Sequence, residues 1–178
     1  YVTLQEANAI AIVDLPTGTV AALHSLGTKD HSQRINQLDA SDRDDAVRLA
    51  TWPVEGLYQP DTIAFYLHDG RRYLVTANEG DARDYDGLAE EVRVGSSSYK
   101  LDPTAFPNAS DLKKTDALGR LTVTNQTGDT DGDGDFDEIH AFGARSFSVW
   151  NAATGELAFD SGDEFEQVTK VAVPTRFN

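Results

Sequence analysis

A chain of 178 residues can bury about 70% of the surface its unfolded form exposes, so one domain can fold without a staple. Cysteine is absent, which excludes a disulfide framework and a thiolate metal site. The 30 acidic residues against 15 basic ones give a formal charge of −15, which repels nucleic acid and anionic membranes and makes cations the natural partners.

No apolar run reaches the roughly 18 to 20 residues of a membrane span, and no basic stretch precedes an apolar one as in a signal peptide. Methionine is missing even at position 1, and the text opens in a strand-like run, so the sequence reads as a piece of a longer protein.

Residues 9 to 22, AIAIVDLPTGTVAA, read as a hairpin of two alternating strands around a Thr-Gly turn. Residues 24 to 56 are polar and turn-rich, holding Lys29, Asp30 and His31 and the acidic run Asp39 to Asp44. His31 is a possible general base, although a lone histidine in a polar loop is more often exposed.

The strongest hairpin follows, Thr62 to His68 and Arg71 to Ala77 around Asp69-Gly70, the dipeptide suited to the positive φ angles of a type I′ turn. Its second strand runs into Glu79, Gly80, Asp81 and Arg83. Residues 80 to 119 form a long excursion with a short helix after Asn108. Strands are predicted at Arg120 to Thr127 and Ile139 to Phe142, and a second short helix at Glu164 to Thr169. Residues 146 to 159, SFSVWNAATGELAF, align without gaps on 9 to 22, an internal repeat of one hairpin.

Between the two later strands lies GDTDGDGDFDE, residues 128 to 138. Asp129, Asp131 and Asp133 fall at positions 1, 3 and 5 of an EF-hand-type loop, Gly134 at the turn position 6 and Phe136 at position 8. A hard cation needs six to eight oxygens, and Asp129, Asp131, Asp133, Asp135 and Asp137 with the Asp135 carbonyl supply most of them. The expected ion is Ca2+, held in residues 129 to 138. Position 12 is His140 instead of a bidentate glutamate, so the last carboxylate is expected from Asp137, Glu138 or elsewhere in the fold. Such a site fills at millimolar extracellular calcium and stays mostly empty in the cytosol, which points to a secreted, periplasmic or cell-surface setting.

The residues Glu79, Asp81, Arg83 and Arg145 form a second candidate set: carboxylates could hold a metal while the arginines bind a phosphate oxyanion. An ion-paired corner that fixes a loop is the plainer reading. No Gly-x-Ser-x-Gly elbow, P-loop or His-Glu-x-x-His motif occurs.

Hairpins of this size suggest β-propeller blades of about 40 to 45 residues. The expected fold is mainly β: one fragment spanning 1 to 178, three to four blades' worth of antiparallel hairpins, with insertions at about 24 to 56 and 80 to 119. Open sheet edges would allow self-association.

The phrases YVTLQEANAIAIVDL, LDASDRD, WPVEGLYQPD, YLVTANEGDARDYD, EEVRVG, LDPTAFPNASDL, LGRLTVT, GDTDGDGDFDEIHAFGARSFSVW and TGELAFDSGDEFEQVT resemble, in order, signatures of the choice-of-anchor I family. The likeness covers nearly the whole chain. It implies an exported, calcium-associated bacterial β-propeller protein, often labelled as an atypical alkaline phosphatase or phytase-like esterase. Two functions follow as expectations: a calcium-binding structural or binding segment, or part of a metal-dependent phosphomonoesterase acting on phosphate esters.

Overall fold

The computed structural model describes residues 1 to 177. Strands β1 (Val2–Leu4), β2 (Ala9–Asp14) and β3 (Thr19–Ser25) form an antiparallel three-stranded sheet. They are followed by β4 (Thr28–Asp30), β5 (Glu55–Leu57), β6 (Pro60–His68) and β7 (Arg71–Asn78). The small hairpin β8 (Asp84–Tyr85) and β9 (Leu88–Ala89) leads to β10 (Glu91–Arg93), helix α1 (Ala109–Leu112) and β11 (Thr122–Thr124). The chain ends with β12 (His140–Ala141), β13 (Ser146–Asn151), β14 (Leu157–Asp160) and α2 (Glu164–Ala172).

The Asp-Gly turn forms as the sequence requires: φ is 49° at Asp69 and 73° at Gly70, and β6 pairs with β7 from His68↔Arg71 outward. Across β7 lies β13, giving a four-stranded antiparallel sheet in the order β14-β13-β7-β6. The internal repeat is structural as well as textual. The ladder slips between Ile12 and Val13 in one copy and between Val149 and Trp150 in the other, which are aligned positions. Both turns close on the same bond, Gly18 N to Asp14 O at 2.7 Å and Gly155 N to Asn151 O at 2.8 Å.

The two stretches expected as interruptions come together. Strands β4 and β5 from the first join β10 from the second, together with β11 and β12 beyond it, in a five-stranded sheet, with β12 parallel to β5 through His140↔Glu55 and Ala141↔Gly56. This sheet carries the larger core, including Leu38, Val54, Val94, Tyr99, Leu118 and Ile139. A smaller core lies between the other two sheets, where Ile10 and Leu26 meet Leu74 and Trp150, and Tyr58 packs edge-on to the Trp150 ring at 5.0 Å.

The mainly β expectation holds. Among the described residues the strands form separate sheets and no ring of blades closes. The strand expected over Arg120 to Thr127 covers only Thr122–Thr124, because Leu121 N is drawn into a turn onto Leu118 O and Asn125 N bonds Glu90 O outside the ladder. Helix α2 runs past Thr169 to Ala172, in keeping with the absence of a breaker before Pro174. No helix among the described residues is long and apolar enough to cross a membrane.

Candidate functional site

The aspartate loop hangs between β11 and β12. Its neck is pinned by Gly128, whose carbonyl accepts both Asp137 N and Glu138 N at 2.8 and 3.0 Å. Gly128 has φ of 103°, and a Cβ there would lie 2.4 Å from Glu138 O. The position-8 residue anchors the loop to the larger core: Phe136 N donates to Lys100 O at 2.9 Å, Phe136 O accepts Asp102 N at 3.0 Å, and its ring stacks on Tyr99 at 4.1 Å.

Within that frame Asp129, Asp131 and Asp137 each present a carboxylate oxygen, all within 4.8 Å of one another. Asp129 is oriented by Gly132 N at 2.6 Å and Gly134 N at 3.1 Å. The backbone N–H and hydroxyl of Thr130 both donate to Asp137, at 2.8 and 2.7 Å, and hold its pKa below the usual carboxylate value. Asp133 instead accepts Asp135 N. One oxygen of Asp135 is buried without a hydrogen-bond partner. Burial, with Asp133 and Asp102 beside it, pushes the Asp135 pKa up. An all-oxygen donor set with mutually repelling carboxylates suits a hard cation. At position 12, His140 bonds Glu138 at 2.9 Å and Thr127 at 2.8 Å, so Asp137, and not Glu138, is the acid beside Asp129 and Asp131.

The second candidate set is split. The backbone at Gly80 crosses Gly143 so closely that a Cβ on Gly80 would lie 2.2 Å from Gly143 N. That crossing helps shape a cleft of about 320 Å³ lined by Asp81 and Arg145 together with Asp39, Asp42, Glu91 and Arg120. Arg83 is engaged elsewhere, its guanidinium forking onto Glu90 at 3.2 and 2.8 Å. Burial pushes the Glu90 pKa up, but the Arg83 and Thr124 bonds outweigh it and hold it low. Glu79 is exposed and does not line the cleft. Arg145 bonds Asp39 O at 3.1 Å and Glu166 at 2.8 Å, tying the start of β13 to α2. Arg120 forks onto Asp42 at 2.8 and 2.9 Å and holds that carboxyl down to about 2. Both arginines of the cleft are therefore already paired with carboxylates.

His31 is not exposed, as a lone loop histidine would be, but 2% accessible. Its Nδ1–H donates to Asn36 O at 2.6 Å, and its Nε2 sits against Gly56. Burial lowers its pKa to about 4; Lys29 and Arg145 act in the same direction, against the Asn36 bond and Asp30.

A larger polar assembly that the sequence does not signal runs from Trp150 to Lys29. Trp150 Nε1 donates to Thr76 at 2.9 Å, Thr76 to Asn78 at 2.8 Å, and Asn78 to Ser146 and Ser148 at 3.0 and 2.7 Å. Both serines donate to Asp160 at 2.7 and 2.6 Å, and Asp160 pairs with buried Lys29 at 3.1 Å. The available signal was the alternation Ser146, Ser148, Trp150, but polar residues on the core face of a strand read as a solvent face.

Over residues 1 to 178 the chain matches a family model described as Choice-of-anchor I domain. No curated protein and no solved structure gives a significant match.

Proposed function

We propose, for a chain that belongs to the choice-of-anchor I domain family, a family of surface-associated or secreted bacterial proteins, that this segment is a β-scaffold stapled by one calcium ion. The observation that carries this reading is the convergence of Asp129, Asp131 and Asp137 on one point at the end of a loop clamped by Phe136. Asp133, Asp135 and the Asp135 carbonyl are the further donors within reach of a six- to eight-oxygen shell. The repeated hairpin, with its slip and turn bond conserved between copies, supports the finer reading that the sheets are blades of a propeller.

Calcium at 100 times its dissociation constant would add about 2.7 kcal/mol to stability. For a chain of this size that is a rise in Tm of about 5 to 10 °C, reversed by EGTA. The double variant Asp129→Ala, Asp131→Ala is expected to melt at one temperature with or without calcium. A retained calcium-dependent rise in that variant would remove the assignment.

Metal-dependent phosphomonoester hydrolysis is a second reading, favoured by one observation: Asp81 and Arg145 share the cleft. A metal there would lower the pKa of a bound water. Assaying the full-length protein on a chromogenic phosphate ester tests it. Activity lost in Asp81→Ala and kept in Asp129→Ala supports it, and an inert parent protein removes it.

A further inference from the structure

An ammonium beside a carboxylate holds all the atoms of an amide and one water, and the buried pair Lys29–Asp160 has the surroundings that this conversion needs. Lys29 lies on β4 and Asp160 on β14, in different sheets. Their side chains are 2% and 12% accessible, with Nζ 3.1 Å from Asp160 Oδ1. Burial lowers the Lys29 pKa, against Asp160, Asp163 and Glu166, which raise it. Desolvation of this kind favours the neutral amine, which is the nucleophilic form of lysine.

The two oxygens of the Asp160 carboxyl have unlike partners. Oδ2 accepts the hydroxyls of Ser146 and Ser148, at 2.7 and 2.6 Å, and Asn78 donates to both serines from behind. Oδ1 faces the lysine and accepts Gly162 N at 2.9 Å. Two hydroxyls already aimed at Oδ2 stabilise negative charge that gathers there without having to reorganise. Oδ1 is left on the side where protons arrive. Both serines are buried, so water that would compete with the amine is kept out. A chain without cysteine also has no disulfide with which to tie one sheet to another.

We propose that Lys29 Nζ and Asp160 Cγ join in an intramolecular amide that ties β4 to β14. The ammonium first passes one proton to Oδ1, leaving an amine and a carboxylic acid. The Nζ lone pair then forms the bond to Cγ while the carbonyl π pair moves onto Oδ2, under the two serine hydroxyls. That pair returns, the Cγ–Oδ1 bond breaks, and Oδ1 leaves as water with a second proton from Nζ. One amide N–H, one carbonyl and one water result, and no oxidant or cofactor is consumed. The new carbonyl keeps its serine donors, and the N–H keeps one of the carbonyls of Ala144 and Gly162 that now accept from Nζ. The ion pair is the reactant state, and the bond forms after folding has brought the two strands together.

Peptide mapping and intact-mass spectrometry of the folded protein test the proposal. The wild-type protein is expected to be lighter than its sequence by one water, with positions 29 and 160 in a single linked peptide. Lys29→Arg, which keeps the charge but removes the amine, is expected to keep its full mass. Asp160→Asn is expected to reach the same linked product by losing ammonia in place of water, and so to end at the wild-type mass. Ser146→Ala with Ser148→Ala is expected to slow the conversion at least about 10-fold when mass is followed from the start of refolding. Far-UV circular dichroism checks that each variant is folded. Wild-type protein that keeps its full mass after prolonged incubation in the folded state overturns the proposal. Loss of water that persists in Lys29→Arg, or that maps to an Asp-Gly step such as Asp69-Gly70, also overturns it, since it would show a succinimide and not the cross-link.

Discussion

Replacing Asp160 by alanine is expected to destabilise the protein by about 3 to 5 kcal/mol, because it strands a buried cation. The Lys29 side chain is 2% accessible, and burial already lowers its pKa despite Asp160 beside it. Without that carboxylate, Nζ keeps only the carbonyls of Ala144 and Gly162, at 3.0 and 2.5 Å. Ser146 and Ser148 lose their acceptor at the same time, and every donor from Trp150 inward points toward that carboxylate. Chemical denaturation measures the loss. Adding Lys29→Met to Asp160→Ala is expected to recover part of it, since the unpaired charge is then gone. Equal stability of wild type and Asp160→Ala would show that the pair and its serines hold nothing together.

Acidification from pH 7 to pH 4 is expected to remove about 3 kcal/mol through His31 alone. Its pKa of about 4 in the folded protein lies below the ordinary 6.5 of an unfolded chain. Between those values the unfolded state binds a proton that the folded state refuses. The stabilisation is therefore complete above pH 6.5 and lost as pH falls toward 4. Asp137 is held low and contributes mainly below this window, whereas Asp135 is pushed up toward it, so the difference in slope between wild type and a His31 variant isolates the histidine. Denaturant midpoints measured across it should flatten in His31→Asn, and an unchanged slope would contradict the buried neutral imidazole.

Where local chemistry decides structure, the sequence was legible. Asp69-Gly70 requires positive φ and forms its turn, and the Thr-Gly repeat produces two hairpins with the same slip. The spacing of Asp129 and Asp131 brings them together, while the choice of Asp137 over Glu138 depended on His140 capturing Glu138, a contact that spacing does not encode.

What stayed hidden was long-range. Strand β5 pairs with β12 some 85 residues away, and two stretches that look like separate insertions share one core, where Leu38 and Val54 from the first meet Val94, Tyr99 and Leu118 from the second. The core face of β13 is hidden for the same reason. Ser146 and Ser148 are buried because Asn78 and Asp160 satisfy them, while Phe147 and Val149 take the more open side.

Calcium titrated calorimetrically into the EGTA-stripped, buffer-exchanged chain tests the central assignment most directly. The expected result is one ion per chain with micromolar affinity, abolished in Asp129→Ala, Asp131→Ala and weakened in Phe136→Ala, which loosens the clamp on Tyr99. Absence of binding by the wild-type chain, or the same binding by the double variant, would contradict it.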